Sequence, residues 1–560
     1  LIKYFSHPNK WFRQTALRIF HDRHDAKAIP ALRKLVDKES GQVALEAFWA
    51  VNASGGFTDE FALKTLNHPN PFARYWTVRL IGDAKKVSPP LQKRLTELAR
   101  TEPDAQVRSQ LASSCRRLPA KEALPMIREL LVRAEDEKDT HIPLLLWWAI
   151  ESKCGSDREQ VLALFRESFL WQTPIVSKFI VSRLGQRYTA ERNEANLNTA
   201  AELLGMATSP RDVDELVRGM EEGLQGDAVK SVPPAMQKRV AEIWASRPKT
   251  PLLISFAARL GHEAASSAAL DMLKDTNTPE AQRKKIVTLL AERRVADAVP
   301  VFLDLLRKEK SDGFRLDVLN SLQRFGDEQI AQTVLELYPG LSVGLRDLSR
   351  SVLCSRASWS RLLLEAVAKG TIAREQVPVA NLLAIQSHHD ARCDELIKKH
   401  WGNLKQSSEE KDKQIAAVRK LLATGKGDPQ AGRALFQQTC AACHTLFGEG
   451  GKIGPELTGY ERDNLEFLLP AIIDPSLGVR EEFTTFNLTT KDEQSLTGFL
   501  LENQPKSVTM MDTTGNKLVI AREQIQSLQA SALSLMPEGL LDAFQEQQIR
   551  DLISYATQKK

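Results

Sequence analysis

The sequence predicts a mainly α-helical chain in two unlike parts: an α-solenoid of paired helices over 1–404, and a small helical domain over 427–560 that carries an antiparallel β-insert. Three observations predict it. At 560 residues the chain exceeds what one hydrophobic core can organise, so it needs several domains or a repeat array. Two helical phrases recur in alternation along its first part. Between about Glu481 and Leu528 the apolar period then switches from that of a helix to the alternation of strands.

The first phrase leads with proline: AKAIPALRKLVDKE (26–39), KEALPMIRELLVRA (121–134), ADAVPVFLDLLRKE (296–309) and a looser KKVSPPLQKRLTEL (85–98). Proline suits a first helical turn, whose N–H groups have no partner inside the helix. The second phrase opens on a turn: HPNKWFRQTALRIF (7–20), HPNPFARYWTVRLI (68–81) and EPDAQVRSQLASSC (102–115), with SGQVALEAFWAV (40–51) filling the gap. The phrases recur about every 31–34 residues, the period of a two-helix unit. The D-x-x-V-R form of Asp104, Val107 and Arg108, with the proline-led helices, resembles HEAT repeats. His7-Pro8 and His68-Pro69 occupy matching positions and read as turn residues. The Trp residues, Trp147 and Trp148 among them, read as core, and His388-His389 as solvated loop. Residues 405–426 form a charged connector with a short helix.

The pentapeptide Cys440-Ala-Ala-Cys443-His444 carries the chemistry. C-x-x-C-H is the attachment signature of a c-type haem. At helical spacing i, i+3 and i+4, both thiols and the imidazole share one face, two sulfurs for the vinyl groups and one nitrogen for the iron. A structural zinc site wants four ligands, and the remaining cysteines (Cys115, Cys154, Cys354, Cys393) are scattered singly, reading as buried free thiols. A thioredoxin-type pair needs a βαβ setting that the neighbourhood lacks. GDPQAGRALFQQ (427–438) reads as an amphipathic helix placing Phe436 near the haem.

The glycine-rich GEGGKIGPELTG (448–459) resembles the loop of class I cytochromes c. By that resemblance the carbonyl of Pro455 accepts the second ring N–H of His444, a bond that sets the tautomer and orientation of a metal-bound histidine. Met536, in SLMPEGLL before a final amphipathic helix at roughly 541–557, resembles the distal loop of cytochromes c and is the expected sixth ligand. Met510 and Met511 lie in the strand-like SVTMMD and read as packing residues. His444 and Met536 stand 92 positions apart, more than a small cytochrome needs, and the β-insert (about 481–528) accounts for the excess.

Charge is divided between the two parts. Residues 427–560 hold 11 Lys and Arg against 18 Asp and Glu, while the remainder holds 65 against 53. An acidic haem domain thus follows a basic solenoid, an arrangement suited to docking or to steering a redox partner. No phosphate-binding loop, nucleophile elbow or zinc-protease motif is present, so no catalytic residue is assigned. Nor does any apolar run reach membrane-spanning length. Covalent haem is attached outside the cytoplasm, which predicts a periplasmic or otherwise exported chain and argues against a nucleic-acid partner. The chain opens at Leu1, without Met or a signal peptide, within what reads as a repeat helix. The expectation is that the natural N-terminal region, with any membrane anchor, lies upstream.

Taken with CAACH, IGPELTG, LLPAIIDPS (468–476), SLMPEGLLDAF and DLISYA, the HEAT-like repeats resemble a haem-binding family of planctomycetes and verrucomicrobia. In that family a propeller resembling sugar dehydrogenases often precedes the repeats. The resemblance implies one covalently bound haem c, His444 and Met536 as its axial ligands, and a redox partner such as a dehydrogenase. The expected function is electron transfer, with the solenoid as scaffold. Two other readings stay open: an open distal iron serving catalysis or gas sensing, and a partner-binding scaffold with an accessory haem.

Overall fold

The computed structural model describes residues 1–558 apart from 227, 403–407, 461, 513–514 and 532. Residues 405–407 of the expected connector and 513–514 of a strand-linking turn lie outside the described residues. The chain is mainly α-helical with a small antiparallel sheet near its C-terminus, as predicted. It divides into two compact units, Leu1–Ala268 and Ala269–Lys560.

In the first unit two sets of helices form in which each member packs on the next but one. Lys10–Arg23, Gly41–Ala53, Pro71–Ala84, Ala105–Cys115 and Ile142–Glu151 follow one another in one layer. Asp59–Thr65, Pro89–Thr101, Ala120–Leu131 and Arg158–Phe165 follow in the other. One arginine brace recurs at several of the repeat turns. Arg74 Nη1 donates to the carbonyls of His68 (2.8 Å) and Pro69 (3.0 Å) while Nη2 meets Glu102 at 2.6 Å. Arg108 does the same with Glu102 O (3.1 Å), Pro103 O (2.7 Å) and Asp136 (2.5 Å). Arg13 repeats it with His7 O, Pro8 O and Glu46. His7 and His68 serve the turn: each Nδ1 accepts the N–H two residues on, from Asn9 and Asn70.

Three expectations about the helical repeats need correction. Pro125 sits inside the helix Ala120–Leu131 rather than in its first turn, because Pro119 accepts the N–H groups of Glu122 and Ala123 and starts the helix early. Trp148 is 44 % exposed and Trp11 62 % exposed. Ile142, Leu146, Ala149 and Ile150 claim the buried face of their helix, and two adjacent Trp residues cannot both share it. His388 is half-buried, with Nε2 2.8 Å from Cys354 O, so only His389 fits a solvated loop.

In the second unit the same next-but-one packing joins Glu280–Glu292, Asp312–Leu322 and Val343–Leu353, and also Ala298–Lys308, Glu328–Leu337, Ala357–Ala368 and Ala391–Trp401. Four further helices follow: Ser408–Ala423, Pro429–Thr439, Leu465–Ile473 and Glu546–Ala556. They enclose a core of Phe436, Leu446, Leu469, Ile473, Leu541, Leu552 and Tyr555. Val418 brings the Ser408–Ala423 helix into this core, so the expected connector packs as part of the domain. The terminal helix begins at Glu546 rather than 541, since Gln545 and Gln548 form its capping box and Leu541 is already buried in the preceding turn.

The short strands β1 (Thr445–Leu446) and β2 (Glu449–Gly450) pair just after the haem-attachment motif. The insert is a five-stranded antiparallel sheet of β3 (Thr485–Thr490), β4 (Ser495–Asn503), β5 (Ser507–Asp512), β6 (Lys517–Ala521) and β7 (Ile525–Ala530), in the order β6-β5-β4-β3-β7. Leu488, Leu496, Val508, Met510 and Ile520 fill its own core. Its β3–β4 turn docks on helical repeats of the same unit. Asp492 Oδ2 lies 2.7 Å from Arg294 Nη1, Arg356 Nη1 donates to Asp492 O at 2.7 Å, and Ser495 N–H donates to Ser355 O at 2.9 Å. Burial alone would push the Asp492 carboxyl up, but the Thr490 hydroxyl and the charges of Arg294 and Arg356 outweigh it and hold the carboxyl below its ordinary value.

Removing one partner of a buried ion pair strands the other. Arg108→Ala is expected to cost about 3–5 kcal/mol, read from denaturant unfolding followed by circular dichroism. The depressed Asp492 carboxyl adds stability that is complete above the unfolded value of about 4 and lost as pH falls through the folded one. The protection of the β3–β4 turn amides, taken relative to the intrinsic exchange rate at each pH, should therefore fall on acidification, and Asp492→Asn should abolish that pH dependence.

Candidate haem-attachment site

The Pro429–Thr439 helix starts cleanly: Asp428 caps it by accepting the Gln430 N–H at 2.8 Å, and proline occupies its first position. Its far side must lie close to the terminal helix. A Cβ at Gly432 would overlap the Asp551 carbonyl, and one at Gly427 the Arg550 carbonyl, so both crossings need glycine. Phe436 and Tyr555 fill the space beside them, ring centroids 5.5 Å apart.

The helix proper ends at Thr439, and Cys440–His444 follows as one further turn. Cys443 N–H and His444 N–H both donate to Cys440 O, at 3.1 and 2.9 Å. Helical spacing thus persists across the motif. Cys440 is half-buried, Cys443 exposed and His444 half-buried. Burial pushes the Cys440 thiol up to about 11 and raises Cys443 as well. Burial thus favours the neutral thiol at both.

His444 Nδ1 lies 3.0 Å from Pro455 O. Donating its proton there leaves Nε2 with a free lone pair, the metal-binding tautomer. Burial lowers the pKa of His444, with the Pro455 contact opposing, which favours the neutral ring. The glycine loop is laced to the motif by backbone bonds: Gly451 N–H to Ala441 O (2.7 Å), Gly454 N–H to Cys443 O (2.8 Å) and Leu457 N–H to Thr445 O (2.8 Å). Gly454 lies flat against the imidazole, where a Cβ would stand 2.7 Å from Cε1. Two thiols and an imidazole with a free Nε2, on one turn under a backbone-lined loop, suit a covalently attached haem.

Met536 is half-buried on the loop between β7 and the terminal helix, its N–H donating to Ser534 Oγ at 3.1 Å. That loop is tied down by Ser534 N–H to Ser476 Oγ (3.1 Å) and by Lys411 to Glu538 (2.7 Å). Met510 is 1 % exposed in the sheet core, and Met511 follows it on β5. Cys115, Cys154, Cys354 and Cys393 are buried free thiols within helical repeats.

Sequence reasoning passed over Gly454, Lys411 and Arg462. The Arg462 guanidinium lies over the Phe447 ring at 4.9 Å and donates to the carbonyls of Ala556, Gln558 and Thr458, fastening the end of the terminal helix to the haem-site loop. Gly454 had a signal in the G-P pair. Lys411 and Arg462 had none, being single cations in charged stretches.

Residues 429–494 match the family model of cytochrome c. The match supports a haem-binding, electron-transfer domain, with haem c attached covalently, at the C-terminal end of the chain. No curated protein matches the chain. Among solved structures, the crystal structure of an engineered protein aligns over 71 % of this chain and 96 % of its own, at 13 % identity and a TM-score of 0.24. So low a score carries no weight for fold or function.

Gly454→Ala should press a methyl group into the imidazole, an overpacking that costs about 1–3 kcal/mol. The expected outcome is a lower haem-to-protein ratio after maturation and a disturbed haem absorption spectrum, read by pyridine haemochrome assay and absorption.

Proposed function

We propose that this chain is an exported c-type cytochrome that passes electrons through one covalently bound haem c. Cys440 and Cys443 tether the group, His444 is the proximal ligand and Met536 the distal one. The chain's domains are a HEAT-like α-solenoid over 1–404 and a cytochrome c domain over 427–560, with the segment expected as a charged connector (405–426) joined to that domain through the Ser408–Ala423 helix. Bound there, the haem supplies a one-electron iron couple. The protein keeps its two ligands in place, shields the site from water and presents it to a partner. The solenoid is the scaffold for that partner, with a dehydrogenase as the donor that the family resemblance suggests.

One observation carries the reading. The imidazole of the C-x-x-C-H motif is held through Nδ1 by a backbone carbonyl, with Nε2 left for iron. On a turn that bears two thiols at attachment spacing, a histidine prepared in this way is suited to ligate an attached haem.

The test is the absorption spectrum of oxidised and reduced protein, matured with its haem, for wild type and Met536→Ala. A sulfur–iron charge-transfer band in wild type that the variant lacks, with a lower reduction potential in the variant, is the expected result. A high-spin wild-type spectrum that shifts on adding carbon monoxide would mean an open iron and would replace electron transfer with catalysis or sensing.

A further inference from the structure

The loop bearing Met536 is anchored by a residue far from it in sequence. Lys411, on the Ser408–Ala423 helix, is 9 % exposed and places Nζ 2.7 Å from Asp474 Oδ1 and 2.7 Å from Glu538 Oε1. Asp474 is the C-cap of the Leu465–Ile473 helix, where the helix dipole disfavours a carboxylate. Glu538 lies two residues beyond Met536, and its second oxygen is buried without a hydrogen-bond partner. Two carboxylates therefore converge in a poorly solvated place with one cation between them. One turn along the same helix, Gln414 Nε2 donates to Asp542 Oδ1 at 2.6 Å, and Val418 enters the domain core one turn further. Positions 411, 414 and 418 share one helical face. Through it the helix grips the segment from 538 to 542 at two points.

We propose that Lys411 is the positioning residue for Met536, neutralising Asp474 and Glu538 so that the loop holds the thioether toward the iron; this rests on Met536 as the sixth ligand. Without the cation, the two carboxylates repel across the gap between the helix C-cap and the loop. Ser534 and Ser476, joined through a single hydrogen bond on the other side of Met536, do not oppose that movement with charge. The Ser408–Ala423 helix thereby controls how much of the protein has its sixth ligand in place.

The experiment uses the full-length haem-loaded protein as wild type, Lys411→Met, Lys411→Arg and Met536→Ala, and reads the sulfur–iron charge-transfer band and carbon monoxide binding to the reduced form. Lys411→Met should shift the balance between bound and released Met536 by on the order of tenfold, weakening the band and strengthening carbon monoxide binding. Lys411→Arg should restore both. If Lys411→Met keeps the wild-type band and carbon monoxide response while Met536→Ala loses the band, the positioning role is overturned and the ligand assignment stands. If Met536→Ala keeps the band, the ligand assignment falls and the positioning role with it. Should Lys411→Met fail to fold, Glu538→Leu removes the loop's acceptor for Lys411 and leaves Lys411 paired with Asp474. A wild-type band in Glu538→Leu would overturn the proposal, and a weakened one would support it.

Discussion

The haem domain is organised around a demand made by one imidazole. To serve as a ligand, His444 must keep one tautomer and one ring orientation, and nothing on its own turn can supply either. The carbonyl of Pro455, 3.0 Å from Nδ1, supplies both. A carbonyl eleven residues along the chain can stand there only if the intervening loop folds back onto the motif. That return path brings backbone against backbone, which is why glycines stand where the loop meets the motif. A Cβ at Gly451 would overlap Ala442 O, and one at Gly454 would strike the ring itself. The loop's outer end is then pinned by Arg462, which also holds the last turn of the terminal helix. The terminal helix in turn lies close enough to Pro429–Thr439 to need Gly432.

The helical repeats solve a simpler problem with a different device. Each unit must fix its neighbour and need reach no further, as in any repeat array. Arg74 and Arg108 tie the turn that opens their own helix to an acidic residue in the following unit. In Glu102 the side chain receives one arginine and the main-chain carbonyl the next, so successive braces interlock. Electrostatic attraction spent on such contacts specifies register between helices whose apolar faces are otherwise alike.

What could be read in advance follows from how local each feature is. The haem-attachment motif, the cap at Asp428, the alternation of the insert and the matched turns at His7 and His68 all depend on residues within a few positions of one another. Periodicity and turn chemistry expose such features. The spread of side chains around a helix defeated the reading of Trp148, since apolar character does not say which of two neighbours faces inward. A cap built from two glutamines hid the true start of the terminal helix, because glutamine is an uncommon first residue. Asp492 with Arg294 and Arg356 joins residues 198 and 136 positions apart, and the Lys411 contacts span 63 and 127. No pattern in one sequence announces pairings of that range.

The two sides of the candidate haem site are consequently built by different means. On the proximal side, His444 and Pro455 lie within one short, glycine-laced stretch that backbone hydrogen bonds fold back onto the motif. Met536, proposed as the distal ligand, is separated from His444 in sequence by the five-stranded insert, and its loop is held by side chains: Ser476, Lys411 and Gln414, drawn from two other segments. A buried cation between two carboxylates gains little net stability once desolvation is counted, but it penalises every loop position that leaves a charge unpaired. An inserted sheet therefore need not weaken a distal loop. It transfers the burden of placing that loop from chain connectivity to long-range charge pairing, and leaves its position responsive to the helix that holds it.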